Sequence, residues 1–459
     1  MTDPYTLRPS AVRHPSGCSS GLEWSVRLRL PWFRALPMSG VESIVVSLDG
    51  QPVPESLLLT HIDGRPHNLT ELQGMSDRYW SVDEDLQIGV AHGQGPPGAC
   101  AGTVVTVELT LRMPDGRGHN GDWPRRTVRA DTTMIDPHQP RWPLGVCTFS
   151  FAGELRRGRS IRSCLREVSA IGYTALEVLG AQVVAGYPNP STRWLGRLAD
   201  LMREYGLALH CYDAFLDPGR RPDDAADDEL LRWMERELSI AASLGCSFVR
   251  LNVPPDPRLF EQLAASAERH DLAVLTELHA QTAQDPSVQE LLALLDDLRS
   301  PRLGLVVDLS CVMRTLPAGW VAQVLRAGGP PEAARIIENG WRDGLPLHAV
   351  RSRLADLGLP MDAAAARLAD RTYRLFRRSD TGWLPEVLPY TRIIHGKFFE
   401  MEAAGEPTID YADVLAKLSD AGFDGHIMSE YEGHLWSDSS DAVDQLSKHH
   451  AMIAALSNV

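Results

Sequence analysis

The chain has 459 residues, a 44% hydrophobic and 23% charged composition, and a formal net charge of -15 at pH 7. That length exceeds the usual single domain, so a barrel-sized unit and a smaller one are expected. The acidic balance, with no basic stripe between aromatics, argues against nucleic acid as a partner, and no apolar run approaches the length of a membrane span.

The N-terminal stretch MTDPYTLRPSAVRHPSG has no apolar core behind a basic start, which predicts a cytoplasmic location without a secretion signal or lipid anchor. The seven cysteines (Cys18, Cys100, Cys147, Cys164, Cys211, Cys246, Cys311) are scattered and never form a C-x-x-C pair. They read as small buried apolar residues rather than disulfides or thiolate ligands. In LEWSVRLRL, residues 22–30, Leu22, Trp24, Val26, Leu28 and Leu30 alternate with Glu23, Ser25, Arg27 and Arg29, the period of a half-buried strand. TVVTVELTLRM, residues 103–113, repeats the pattern with Val105, Val107, Leu109, Leu111 and Met113 inward. Between them VESIVVSLDGQPV predicts a strand and an Asp49-Gly50 turn, and DEDLQIGVAH another strand, with no convincing helical stretch before residue 135. Residues 1–135 are therefore expected to form a small all-β, sandwich-like domain. DPHQPRWP, residues 136–143, has three prolines and reads as a stiff linker.

From residue 144 short apolar runs alternate with amphipathic helical intervals. The runs are LGVCTFS (144–150), ALEVLG (175–180), LALHCY (207–212), FVRLNV (248–253), AVLTELH (273–279), LGLVVDLS (303–310), TRIIHGKFF (391–399) and HIMSEYEG (426–433). Eight strand-helix units predict an α/β fold, a closed (β/α)8 TIM barrel over residues 144–459. The alternative, an open doubly wound sheet, lacks the G-x-G-x-x-G expected after its first strand. Residues 311–389 are longer than one connecting helix requires, and are expected over the barrel mouth as a lid or substrate-recognition element.

Each of the last four runs ends with a residue able to bind a hard or borderline cation: Glu277, Asp308, His395 and Glu430. Parallel barrel strands converge at one mouth, so these four can meet there. Any one carboxylate alone is as readily explained by a helix cap or an arginine pair, but several together need a neutralising cation. Three carboxylates and an imidazole suit a divalent metal at higher coordination, Mn2+ first, with Mg2+, Fe2+ or Co2+ as alternatives, better than tetrahedral zinc. His279, two residues beyond Glu277 on the same strand face, is the candidate general base, unless it is a core histidine bonded to a carbonyl. Lys397 shares a face with His395 and is one of three lysines, with Lys417 and Lys448. It is a candidate to hold a substrate oxygen or developing negative charge, with a carboxylate ion pair as the alternative. Glu177 and His210 can line the pocket or pack. Arg250 and Arg314 can bind polar groups or form ion pairs, and the loop Tyr431-Glu432-Gly433-His434 offers possible proton donors.

With LTELH, VVDLS, IIHGK and MSEYEG in place, the barrel resembles the sugar phosphate isomerase/epimerase family and its xylose-isomerase-like fold, with Glu277, Asp308, His395, Lys397 and Glu430 as the matching residues. The H-x-K-D motif of that family reads His395-Gly396-Lys397-Phe398 here, without its acidic member. Cys311 stands where many family epimerases carry a histidine. The stretch FRALPMSGVESIVVSLDGQPV resembles the small β subunit of bacterial C-glycoside deglycosidases, whose α subunit is this kind of metal barrel. That resemblance implies a fused chain acting as a metal-dependent lyase on 3-oxo-C-glycosides, and on O-glycosides as an extension. It also implies a separate oxidoreductase supplying the oxidised substrate, an unsaturated keto sugar and free aglycone as products, and small molecules as the partners of the site. A homo-oligomer is the expected assembly. The rival readings are a metal-dependent sugar isomerase or epimerase and, behind it, a non-catalytic carbohydrate-binding protein, for which a broken ligand set would be expected.

Overall fold

The protein is represented by a computed structural model that describes residues 9–13, 22–32, 34–62, 65–82, 84–91, 93–94, 103–113, 124–135, 141–214, 227–251, 259–360, 363–402, 405–437 and 440–457. The chain divides into two units, Met1–Gln139 and Pro140–Val459. Cys18, Cys100 and the first five residues of the expected linker lie outside the described residues.

The first unit contains strands β1 (Pro9–Arg13), β2 (Leu22–Arg29), β3 (Leu36–Pro37), β4 (Val41–Leu48), β5 (Gln51–Pro52), β6 (Leu59–Ile62), β7 (Arg65–His67), β8 (Tyr79–Trp80), β9 (Asp85–Ala91), β10 (Val104–Arg112) and β11 (Arg125–Ile135). Nine of them form one sheet in the order β5-β4-β10-β11-β1-β2-β9-β6-β7, and β3 pairs with β8. The alternating residues of β2 and β10 all turn inward: Trp24, Val26, Leu28, Val105, Val107, Leu109 and Leu111 share one apolar core with Ile44, Val46, Ile88 and Val90. Residues near both ends of the sheet thus meet across a single interior, the arrangement a sandwich-like domain requires. Asp49 (φ 47°) and Gly50 (φ 78°) both take the left-handed conformation that a two-residue hairpin demands. Two 3-10 turns, Met38–Gly40 and Glu55–Leu57, and a short α-helix, Leu69–Gln73, depart from the all-β expectation. Asn68 caps the α-helix by accepting from the Glu71 amide at 2.9 Å, while the Glu71 carboxylate accepts from the Asn68 amide at 3.1 Å. A helix this short carries no periodicity to read, and its capping box is its only local signal.

The second unit closes eight parallel strands in chain order: β12 (Leu144–Cys147), β13 (Ala175–Leu179), β14 (Ala208–Ala214), β15 (Phe248–Leu251), β16 (Ala273–Leu278), β17 (Leu303–Asp308), β18 (Thr391–Phe398) and β19 (His426–Tyr431), with β19 returning to β12. Helices such as Ile161–Ile171, Thr192–Glu204, Pro286–Leu298 and Ala442–Leu456 lie between or after them. Their apolar faces bury Val168, Leu198, Leu291 and Leu446 in the core that surrounds the strands. Strand β14 runs two residues past the expected Tyr212, because Asp213 and Ala214 pair with Arg250 and Leu251 of β15.

The long insertion folds as the helices Ala318–Val321, Gln323–Arg326, Pro331–Arg342, Leu347–Asp356, Ala364–Leu375 and Leu384–Val387. It is tied to the C-terminal ends of the strands. The Arg377 amide donates to the Ser310 carbonyl at 2.9 Å, just past β17. Phe376 packs edge-on against Phe399, just past β18, and Trp320 against Trp436, beyond β19. No helix among the described residues is long and apolar enough to cross a membrane.

Candidate metal centre

Register brings the last four strands' polar residues to one level. Asp308 pairs with His395 across β17 and β18, and Lys397 pairs with Glu430 across β18 and β19. Strand alternation sends His395 and Lys397 inward. Gly396 faces the outer layer, where a Cβ would meet Ile427 Cγ2 at 3.1 Å. Glu277, Asp308 and His395 form a buried cluster able to hold a metal ion, with one ligand atom from each lying within 4.8 Å of the others. His395 Nδ1 is 3.0 Å from Glu277 Oε1, 3.5 Å from Glu430 Oε2 and 3.6 Å from Asp308 Oδ2.

A second partner aims each of these groups. His395 Nε2 lies 2.9 Å from Glu177 Oε2, so the carboxylate accepts that N–H and turns Nδ1 toward Glu277, Glu430 and Asp308. Arg250 Nη1 donates to Glu277 Oε2 at 2.6 Å, leaving Oε1 toward the imidazole. The Ser310 amide donates to Asp308 Oδ1 at 2.6 Å, leaving Oδ2 inward. Lys397 Nζ is 2.7 Å from Glu430 Oε2, 3.0 Å from Asp308 Oδ2 and 2.9 Å from Glu432 Oε1.

The donor set fits a divalent cation. Buried His395 Nδ1 and Asp308 Oδ2 lie 3.6 Å apart with no hydrogen bond between them, and Asp308 Oδ2 is paired with Lys397 at 3.0 Å, so a divalent cation at this point would take the place of the imidazole's second proton. Six buried carboxylates (Glu177, Asp213, Glu277, Asp308, Glu430, Glu432) crowd two permanent cations, Arg250 and Lys397, and the site draws in protons to balance them. Burial pushes Asp213 up to about 8 and raises Glu432; it opposes the charge on His395, but Glu177 and Glu430 overcome it and raise the imidazole well above its ordinary value. Such an excess of buried negative charge is unfavourable without a further cation.

Arg250 is the hub on the other side of the mouth. Besides Glu277 it reaches Glu177 Oε1 from Nε at 2.7 Å and Asp213 Oδ2 from Nη2 at 2.5 Å. Burial works to raise the Glu177 carboxyl, but His395 and Arg250 outweigh it and hold it down at about 2. Burial likewise opposes the charge on Lys397, and Asp308, Glu430 and Glu432 overcome it and keep the ammonium ion. Asp308 is held well below the usual carboxylate range against burial, by Lys397 first and by His395 and His279 after it.

His279 follows β16 directly, half-buried, and makes no hydrogen bond or ion pair among the described residues. Ala280 beside it takes φ 54°, a left-handed conformation that costs a non-glycine residue roughly 1–2 kcal/mol and turns the chain sharply at the mouth. The other sequence candidates separate cleanly. Glu177 supports His395. His210 does not line the mouth: it stacks on His426 (3.6 Å between ring centroids), the first residue of β19, at the opposite end of the barrel. Arg314 is exposed and pairs with Asp410, so its role is an ion pair. Cys311 Sγ lies 3.3 Å from the Leu278 carbonyl, and burial pushes its thiol up, away from thiolate chemistry. Sequence reading missed Asp213, which stood beyond the expected strand end, and left the hub role of Arg250 open. An arginine inside the apolar run FVRLNV was the available signal, since a buried guanidinium needs carboxylate partners.

Residues 165–453 match the family described as xylose isomerase-like TIM barrel, and residues 12–115 match C-glycoside deglycosidase beta subunit. The chain is 27% identical over 321 residues to a C-glycoside deglycosidase alpha subunit of Arthrobacter globiformis, covering 68% of this chain and 91% of that protein. It is 27% identical over 293 residues to the 3'-dehydrocarminate deglycosidase alpha subunit of a Microbacterium species, covering 61% of this chain and 84% of that one. A C-glycoside deglycosidase beta subunit of Microbacterium trichothecenolyticum is 32% identical over 96 residues, 21% of this chain and 71% of its own. The chain belongs to the xylose isomerase-like TIM barrel family, and it fuses a barrel similar to C-glycoside deglycosidase alpha subunits with an N-terminal domain similar to their beta subunits.

Proposed function

We propose that this protein is a metal-dependent lyase that cleaves 3-oxo-C-glycosides, and the corresponding O-glycosides, by deprotonation at C2 and elimination of the aglycone. The observation that carries this reading is the buried cradle around His395 Nδ1, with Glu277, Asp308 and Glu430 facing one point and each aimed by its own partner. Similarity to both subunits of C-glycoside deglycosidases supports the substrate class.

On this reading Glu277, Asp308, His395 and Glu430 hold the ion, with Mn2+ as the first candidate. A divalent cation so held supplies Lewis-acid stabilisation of negative charge on the sugar C3 oxygen. The C3 ketone acidifies the C2 proton, and His279, half-buried and without a hydrogen bond among the described residues, takes it. The C–H electron pair moves toward the C3 carbonyl to give an enolate. It then returns to form the C1–C2 double bond as the C1–aglycone bond breaks, and the aglycone carbon leaves with that bonding pair and gains a proton. Lys397 acts as a positioning residue, holding Asp308, Glu430 and Glu432 while adding positive potential beside the developing charge. A separate oxidoreductase supplies the 3-oxo group.

The test is aglycone release from a 3-oxo-C-glucoside, followed by chromatography with Mn2+, with EDTA, and with the Glu277→Gln variant. Release that requires both the metal and Glu277 supports the lyase. Metal binding without release, accompanied by isomerisation or epimerisation of a free keto sugar, replaces it with the isomerase reading, which uses the same base and cradle.

A further inference from the structure

Four residues beyond Glu430 the chain buries a histidine that the proposed chemistry does not use. His434 lies in the 3-10 turn Gly433–Leu435, is 3% exposed, and makes no hydrogen bond through either Nδ1 or Nε2. The Tyr431 carbonyl stands beside the ring but outside hydrogen-bond geometry. The backbone around it is fixed. Arg156 Nη2 donates to the His434 carbonyl at 3.0 Å, and a Cβ at Gly153 would lie only 3.0 Å from the His434 Cβ. The ring meets Phe149 edge-on at 4.9 Å, and Phe149 belongs to the Thr148–Phe151 turn that leaves β12. His434 therefore sits at the mouth, between the turns that follow the first and last strands.

A polar ring so buried loses its water and gains no more than a weak contact with the Tyr431 backbone, a net loss to the folded chain unless something else bonds there. The charges of Glu430 and Lys397 both act on it, so it shares the surroundings of the cradle. Burial first, and Arg156 after it, push its pKa down to about 4, which leaves a neutral imidazole near pH 7 with one donor nitrogen and one acceptor nitrogen. A hydroxyl, itself donor and acceptor, complements such a ring, whereas a carboxylate or phosphate would leave the acceptor nitrogen opposed.

We propose that His434 is a substrate-binding residue that hydrogen-bonds a sugar hydroxyl on the β19 side of the barrel mouth. The assignment rests on the reading of the mouth as a glycoside site. It concerns how the sugar is held, and no proton transfer in the reaction depends on it.

The experiment compares wild type with His434→Phe, which fills the same space without polar atoms, and His434→Asn, which keeps one donor and one acceptor. Three quantities are read: thermal midpoint, Mn2+ affinity, and binding of an unoxidised C-glucoside by calorimetry, followed by kcat and KM on the 3-oxo substrate. The expected result for His434→Phe is an unchanged or higher thermal midpoint, unchanged Mn2+ affinity, and sugar binding and KM weakened about tenfold, with kcat moving less. His434→Asn should recover part of that loss. Equal sugar affinity in wild type and His434→Phe overturns the proposal, as does a steep fall in thermal midpoint with sugar affinity intact. If His434→Phe does not fold, His434→Leu, which also lacks polar atoms, takes its place, and wild-type sugar affinity there overturns the proposal equally. Wild type that binds the C-glucoside but releases no aglycone from the 3-oxo form defeats the lyase reading alone, while wild type that binds no sugar defeats the assignment of His434.

Discussion

Glu177 and His395 stand 218 residues apart in the chain, and their side chains meet at 2.9 Å with neither exposed to solvent. The contact decides which imidazole nitrogen faces the carboxylates, because a carboxylate on Nε2 fixes the proton there and turns Nδ1 toward them. Glu177→Gln keeps the size of the side chain, and its carbonyl can still accept from Nε2, but it removes the charge. Mn2+ affinity is expected to fall by about 10- to 100-fold while the fold is retained, read by calorimetric titration. Unchanged affinity would mean that the negative charge of Glu177 is not needed to hold the imidazole for the metal.

Lys397 faces three carboxylates within 3.0 Å in a fully buried setting. Lys397→Met leaves those charges uncompensated, and breaking a buried ion pair in this way costs about 3–5 kcal/mol. The metal-free variant is expected to unfold at a markedly lower temperature than wild type. Saturating Mn2+ should restore more of that midpoint in the variant than it adds to wild type, because the cation replaces the missing positive charge. Thermal unfolding with Mn2+ and with EDTA checks this, and equal increments in the two proteins would count against a shared cradle.

Arg250 and Arg314 are the same residue type in opposite settings. Arg250→Met removes the partner of Glu177, Asp213 and Glu277 at once, so at least about 3–5 kcal/mol of stability is expected to be lost. Arg314 pairs with Asp410 from an exposed position, and Arg314→Ala is expected to change stability by about 0–1 kcal/mol. Urea unfolding of the two variants measures the contrast.

Acid should destabilise the barrel through its buried histidines. His449 stacks on Phe398 with 4.0 Å between ring centroids and shares a hydrogen bond with Ser429 Oγ at 2.9 Å, and burial lowers its pKa from 6.5 to about 3. Its folded value lies below its unfolded one, so below pH 6.5 the unfolded chain takes up a proton that the folded chain refuses until about pH 3. Its contribution is thus fully present above pH 6.5 and is lost as the pH falls toward 3. His210 and His450, each lowered to about 4 by burial first, act in the same direction. His449→Asn, which can keep the bond to Ser429, should flatten the stability profile between pH 6.5 and 4 in urea titrations. A profile parallel to that of wild type would show that this histidine does not contribute.

Much of this protein was legible before any coordinate. Period-two alternation identified β2 and β10 because a half-buried strand must place every second side chain in the core. Eight apolar runs separated by helical intervals predicted the closed barrel, since parallel strands buried on both faces need such runs. Glu277, Asp308, His395 and Glu430 were recognisable together because each stands at the end of its own strand, and a barrel gathers strand ends at one mouth. What the sequence by itself determined was therefore the kind of fold and that Glu277, Asp308, His395 and Glu430 stand at the ends of their strands. Tertiary structure alone decided how those residues are paired: that Glu177 serves His395, that Arg250 binds three carboxylates while Arg314 binds one at the surface, that His210 lies at the far end of the barrel, and that Asp213 reaches the mouth on an extended β14. The reason is physical. Periodicity is set by bonds and sterics within a few residues, whereas hydrogen bonds and ion pairs depend on distances of about 3 Å between side chains that only the closed barrel and its strand register bring together.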